Sequence, residues 1–167
     1  MSPAESKRTT FRYQLRPSDC DAVRRLVVGT GFFSPEEVEI AVELVDESMT
    51  KGEVKSGYRF VMADCSDQLY GYSCFGPIAG TESSYDLYWI VVDPNRQRVG
   101  IGRSLMAATE AQIRKLRGTR VYVDTSNRSQ YHPTRKFYEE CGYRLVAQLP
   151  NFYTIGDDKA IFEKELL

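Results

Sequence analysis

Histidine is all but missing from this 167-residue chain, His132 being the single one. With one imidazole and no clustered cysteines there is no ligand set for a histidine-based metal centre, and no metal is expected. Cysteine is scarce too: Cys20, Cys65, Cys74 and Cys141 are scattered without a Cys-x-x-Cys pair. They read as free thiols in a reducing cytoplasm. No apolar run approaches the roughly 20 residues of a membrane helix. The stretch Met1–Lys7 is too polar for a secretory signal, so no membrane partner is expected. A basic excess is absent as well, since 22 lysines and arginines face 23 acids for a net charge of -1. That balance argues against nucleic acid as a partner. Repeats and low-complexity segments are missing. What remains is 42% hydrophobic and 27% charged, an ordinary globular composition. It reads as one domain over residues 9–167 behind a frayed segment, residues 1–8.

What is present is patterned. Residues 36–47 carry Glu36, Glu37, Glu39, Glu43, Asp46 and Glu47, and residues 96–120 carry Arg96, Arg98, Arg103, Arg114, Lys115, Arg117 and Arg120. Two readings stay open. These are solvated helix faces, or the acidic half attracts a cation and the basic half faces a polyanion. Alternation over Thr10–Leu15 predicts a strand. Pro17-Ser18-Asp19 predicts the cap of a helix over about residues 20–28. Ser34-Pro35-Glu36-Glu37 predicts a capping box opening a second helix, with Val38, Ala41, Val42, Val45 and Met49 on one face. Phe32 and Phe33 just before it read equally as a staple for that helix or as a pocket wall. Further strands are expected at 58–64, 69–77, 85–93, 120–125, 143–149 and 159–166. Helices are expected at 102–116, with Leu105, Thr109, Ile113 and Leu116 on one stripe, and at 133–141. The crossover makes strands 85–93 and 120–125 parallel neighbours. The expected fold class is α+β, a three-layer α/β/α arrangement around a mixed, mostly antiparallel sheet of about seven strands.

The stretch Trp89–Ser104 is the most informative. Trp89-Ile90-Val91-Val92 is a short aromatic and β-branched run that Asp93-Pro94 stops. Gly100 and Gly102 remove the side chains that would keep an anion off the backbone. The helix that follows offers unpaired N–H groups and the positive end of its dipole. Alone, this predicts only a phosphate-bearing ligand, because short glycine patterns recur by chance.

Its surroundings narrow the reading. Val91-Val92-Asp93-Pro94, then Gln97-Arg98-Val99-Gly100-Ile101-Gly102, then Phe137-Tyr138-Glu139-Glu140-Cys141-Gly142-Tyr143 resembles the GNAT superfamily of acyl-CoA-dependent N-acyltransferases. The likeness in the order of elements covers residues 10–166. It implies acetyl-CoA as cosubstrate and no metal. The amides of Val99, Gly100, Ile101, Gly102 and Arg103 would hold the pyrophosphate, with Gln97, Arg98 and Ser104 in the same turn. Backbone groups of Ile90, Val91 and Val92 would bond the pantetheine arm, in the wedge where the two parallel strands splay. Tyr138 falls where many members place the tyrosine that protonates the departing thiolate. Asp86 falls where a catalytic glutamate stands in the superfamily's histone acetyltransferases. One position departs: where many members have an asparagine bonding pantetheine, this chain has Tyr131. The segment from Tyr131 to Arg135, with Thr134, is expected to contact the cofactor by other groups.

The acceptor site is expected from Phe32 and Phe33, from Tyr88 on the same face as Asp86, and from a loop Leu149–Asp158 that holds Phe152 and Tyr153. Aromatics beside acids suit a small primary amine, an amino acid such as D-alanine among them, and equally suit a turn packed on the first helices. A protein N-terminus or lysine, or a non-catalytic acyl-CoA-binding module, is the alternative reading. Monomer and homodimer are both compatible with the sequence.

Overall fold

The computed structural model describes residues 8–167, apart from the side chains of residues 97–99. The expected frayed segment therefore lies, but for Arg8, outside the described residues. The elements are β1 (Thr10–Arg12), α1 (Asp19–Gly29), α2 (Pro35–Lys51), α3 (Glu53–Ser56), β2 (Arg59–Cys65), β3 (Gln68–Pro77), β4 (Ser84–Val92), α4 (Ile101–Lys115), β5 (Arg120–Ser126), α5 (His132–Glu140), β6 (Arg144–Thr154) and β7 (Asp157–Glu165). Short 3₁₀ turns, Pro94–Val99 and Ser129–Tyr131, precede α4 and α5. The strands form one seven-stranded sheet in the order β1-β2-β3-β4-β5-β7-β6. Pairing is antiparallel for β1–β2, β5–β7 and β6–β7, and parallel for β4–β5, as the crossover predicts. This is the expected α+β fold.

Two compact units make up the chain, one reaching to Cys74 and resuming at Trp89–Thr109, the other Phe75–Tyr88 with Glu110–Leu167. In the first, α1 and α2 bury Val23, Leu26, Val27, Val38, Ala41 and Val45 against Phe60, Met62, Tyr72, Cys74 and Val91. The opposite face of β3 meets α4: buried Ser73 shares a 2.7 Å hydrogen bond with Thr109. Burying the helices' apolar stripes supplies the driving force here, at about 25 cal/mol per Å² of apolar area.

The capping box forms as expected: the Glu37 amide donates to Ser34 Oγ and the Ser34 amide to Glu37. Phe33, one residue before that cap, and Val38 both belong to the core beneath, the arrangement of a hydrophobic staple. The cap expected for α1 does not form, since Ser18 makes no side-chain cap bond. Asp19 accepts the Arg16 amide instead and takes a bidentate pair from Arg12. Leu116 is 37% exposed, although Leu105 and Ile113 of its expected stripe are fully buried, because α4 ends at Lys115 before the stripe is complete. The largest departure is at the C-terminus. The expected loop Leu149–Asp158 is instead the far half of an 11-residue strand, β6, and a tight turn into β7. Pro150 misled the sequence reading; here it sits in a bulged stretch where the ladder register shifts between Leu149 and Thr154.

Candidate active site

In the first unit, the turn after β4 is tied down at both ends. The Asp93 amide donates to the Tyr70 carbonyl on β3 at 2.8 Å, and the Asp93 carboxylate caps the 3₁₀ turn by accepting the Asn95 amide. Arg96 lies over the Tyr70 ring, 4.7 Å from its centroid. Gly100 then takes φ +81°, and a Cβ there would meet nothing within 4 Å. The glycine is thus required by conformation rather than by crowding. It turns the chain so that α4 begins at Ile101, with the amide end of the helix at this turn. Arg103 and Ser104 are exposed, and Gly102 is half-buried. Ile101, Val91 and Val92 point into the interior and leave only backbone for a ligand, while Ile90 is half-buried. Gln97, Arg98 and Val99 lie in the 3₁₀ turn; their side chains fall outside the described residues. Helix amides, an open flank and arginines suit a pyrophosphate, so the residues present fit acetyl-CoA.

Phe33 packs against Trp89 with ring centroids 5.0 Å apart, and Phe32 meets Phe33 edge-on at 5.6 Å. Phe33 thus packs as a staple against the core beneath α2. The acidic run of α2 is largely engaged: Glu37 in its cap, Glu39 paired with Arg24, Glu47 with Lys51. It reads as a solvated helix face. A cavity of about 320 Å³ lined by Arg12, Arg16, Asp19, Asp64 and Asp67 lies in this unit and was not anticipated.

The second unit holds the acids and phenols. The β4–β5 ladder pairs Ser84 with Arg120, Tyr85 with Val121 and Asp86 with Tyr122; among this unit's residues no pair follows. Within this unit the β4–β5 ladder thus ends at Asp86. Period-two alternation sends Tyr85, Leu87, Val121 and Val123 inward and leaves Asp86, Tyr88, Tyr122 and Asp124 on the other face. Asp86 is half-buried, and that burial, then the neighbouring Asp124, raise its carboxyl above the ordinary range, with Lys159 opposing. Tyr88 is 41% exposed. Asp124 was not singled out as a site residue. Only the register placed it beside Asp86 and 2.6 Å from the Lys159 ammonium. That ammonium lies 4.5 Å over the Phe152 ring, which meets Tyr153 edge-on. Burial, then Asp124, lift the Tyr153 phenol.

Tyr138 is buried on α5, its ring packed against Phe137, Tyr143 and Phe162. Burial pushes its phenol up, with Cys141 and Asp124 adding to the effect, so it stays protonated at any working pH. Tyr131 receives the Arg128 guanidinium 5.7 Å from its ring, and Thr134 is half-buried. The loop beneath them is fixed by buried Asp157, which accepts from Ser126 and pairs with Arg128 at 3.0 Å. His132 is simply the exposed first residue of α5.

A sequence profile for an acetyltransferase (GNAT) domain matches residues 56–145. No protein of curated function matches the chain. Among solved structures, a protein from Desulfovibrio desulfuricans assigned to the GNAT acetyltransferase family is 46% identical, with a TM-score of 0.92 over 95% of this chain and 99% of that one. An aminoglycoside 6'-acetyltransferase of type Ii is 25% identical, with a TM-score of 0.77 over 95% and 97%. The PaiA N-acetyltransferase of Thermoplasma acidophilum, solved with coenzyme A, shares the fold at 18% identity and a TM-score of 0.71 over 95% and 99%.

Proposed function

This chain belongs to the GNAT acetyltransferase family, and from that premise we propose that it carries acetyl from acetyl-CoA to the primary amine of a small molecule, D-alanine and other amino acids among the candidates. As a member it is an acyl-CoA-dependent acetyltransferase with acetyl-CoA as its donor. The reading of the acceptor rests on one observation: Asp86, half-buried at the end of the β4–β5 ladder, shares its strand face with Tyr88 and is surrounded by aromatic and acidic groups.

Acetyl-CoA supplies the acetyl group as a thioester. The amides of Gly100, Ile101, Gly102 and Arg103, with Gln97, Arg98, Val99 and Ser104 around them, hold its pyrophosphate. Backbone groups of Ile90, Val91 and Val92 bond the pantetheine and orient the carbonyl. Tyr131 and Thr134 flank the cofactor where other members use an asparagine. Asp86 takes the proton of the acceptor ammonium, directly or through a water, and the freed amine attacks the carbonyl in a ternary complex. Tyr88, Phe152 and Tyr153 are the aromatics offered to the acceptor from the unit that holds Asp86. Tyr138 gives its proton to the departing thiolate, and the second amine proton, lost as the tetrahedral adduct collapses, returns through solvent to the Tyr138 phenolate. A raised phenol is a weaker acid, but a thiolate in the same desolvated setting gains basicity too, which keeps the two matched.

The test is a panel of amines and amino acids with thiol release from acetyl-CoA as the readout. Release with small amines, and a loss of roughly 100-fold in kcat for Tyr138→Phe with unchanged acetyl-CoA affinity, is expected. Release only with peptides would move the acceptor to a protein N-terminus or lysine. No release with any amine would leave a binding module.

A further inference from the structure

Asp124 and Lys159 belong to no step described so far, yet the register brings them to Asp86. Asp86 opposes Tyr122 in the parallel ladder, and Asp124 follows two residues on, so it faces the same side one pleat further along. In the antiparallel ladder to β7, Asp124 opposes Ile161 and Ser126 opposes Lys159. Lys159 is thus the diagonal neighbour of Asp124, and its ammonium reaches an Asp124 oxygen at 2.6 Å with only 19% of its side chain exposed. The Phe152 ring covers that ammonium from β6.

The other charged groups on this face are already matched. Glu163, opposite Tyr122, is paired with Arg120 and Arg144. Glu165 takes the second nitrogen of Arg120. Tyr88 and Tyr122 are titratable groups on the same face. Beyond its burial, the charged groups that act on Asp86 among the described residues are Asp124 and Lys159.

We propose that Asp124 and Lys159 are positioning residues that act on Asp86 as an electrostatic couple: the register sets a carboxylate and an ammonium together on its strand face, and their balance tunes the group that deprotonates the acceptor. The inference rests on the reading of Asp86 as the base. An ordinary carboxylate is a poor acceptor for an ammonium proton, and a base works best with its proton affinity near the working pH. A second carboxylate on the same face moves it that way. The 2.6 Å ion pair with Lys159 engages the Asp124 carboxylate, so Asp86 and Asp124 are not a close unpaired dyad. Asp124 also contributes to the upward shifts of Tyr138 and Tyr153, so the same charge reaches the proposed proton donor.

The couple has a signature that a structural role lacks, because its two members push in opposite directions. Carboxyl-carbon NMR of aspartate-labelled protein would follow the Asp86 titration, assigned by the signal lost in Asp86→Asn. Asp124→Asn is expected to lower the Asp86 midpoint by roughly half a pH unit, and Lys159→Met to raise it by a similar amount. Amide spectra would establish that both variants are folded. Shifts of the same sign, or none, overturn the proposal. The reading of Asp86 as the base is judged separately, by acetyl-CoA-dependent thiol release across the amine panel. If Asp86→Asn keeps the wild-type rate, the base assignment falls, and with it any catalytic consequence of the couple. If the rate is lost while the midpoints fail to move apart, the base stands and the couple does not.

Discussion

The rings of Tyr72 and Phe60 lie nearly parallel in the core, 6.3 Å apart and inclined at 26°. The Tyr72 hydroxyl is the buried side-chain polar atom that lacks a hydrogen-bond partner among the described residues. Such an orphan costs about 1–3 kcal/mol. Tyr72→Phe keeps the stacked ring and removes the orphan. It is expected to raise stability by about 1 kcal/mol, read as a higher urea midpoint; a lower midpoint would show that the hydroxyl has a partner in solution.

Arg12 is a different case. It donates to both oxygens of Asp19 and to Asp64, and Asp19 is only 2% exposed. Without Arg12, Asp19 keeps the Arg16 amide but no cation. Removing one partner of a buried pair costs about 3–5 kcal/mol. Arg12→Met should lose roughly 3 kcal/mol in chemical denaturation, while Arg24→Met, which breaks the exposed pair with Glu39, should lose far less.

Ser73 and Thr109 join β3 to α4 by one buried hydrogen bond, and Thr109 also donates to the Leu105 carbonyl. Ser73→Ala leaves the Thr109 oxygen short of a partner and should cost about 1–2 kcal/mol. The double variant Ser73→Ala, Thr109→Val should cost less than the sum of the singles, because both polar groups are gone. Strict additivity in thermal unfolding would deny the coupling.

Gly100 has φ +81° and free space around the missing Cβ. An alanine there must bear a left-handed conformation at about 1–2 kcal/mol. Relaxing that strain re-aims the first amides of α4. Gly100→Ala is therefore expected to weaken coenzyme A binding by roughly tenfold in calorimetry, with most of the effect in KM for acetyl-CoA rather than kcat.

As the proposed base, Asp86 should make stability and activity run in opposite directions with pH. Its carboxyl is raised above the ordinary value of 3.8, chiefly by burial and then by Asp124. The folded state binds this proton more tightly than the unfolded chain. The stability it contributes is present below the ordinary value and is lost as pH rises through the raised one. The rate, which needs the ionised base, should climb over that same interval. Wild type should lose stability relative to Asp86→Asn across the window, and a pH-independent difference between the two would refute the shift.

Much of this was legible in the chain because it depends on neighbours close in sequence. Ser34 and Glu37 are three residues apart, so their reciprocal cap is a local matter. The turn from Asp93 to Gly100 is set by a proline, a capping aspartate and a glycine within eight positions. The alternation that put Asp86 and Tyr88 on one face follows from strand geometry alone. Reading residues 150–158 as a loop failed because Pro150 normally excludes a strand, and only the bulge in the β6–β7 pairing lets it stay in one.

The sequence by itself determined most of the order of elements and the glycine turn before α4, since propensity, periodicity and spacing are properties of short stretches. Tyr138 and Asp86 became candidates only through the resemblance to the GNAT superfamily. Tertiary structure alone decided what surrounds them. The Asp19–Arg12–Asp64 network, the pairing of Asp86 with Tyr122, and the approach of Lys159 to Asp124 join residues up to 52 positions apart. Such pairs are fixed by strand register and burial, and no local pattern encodes which distant charge a register will bring within reach.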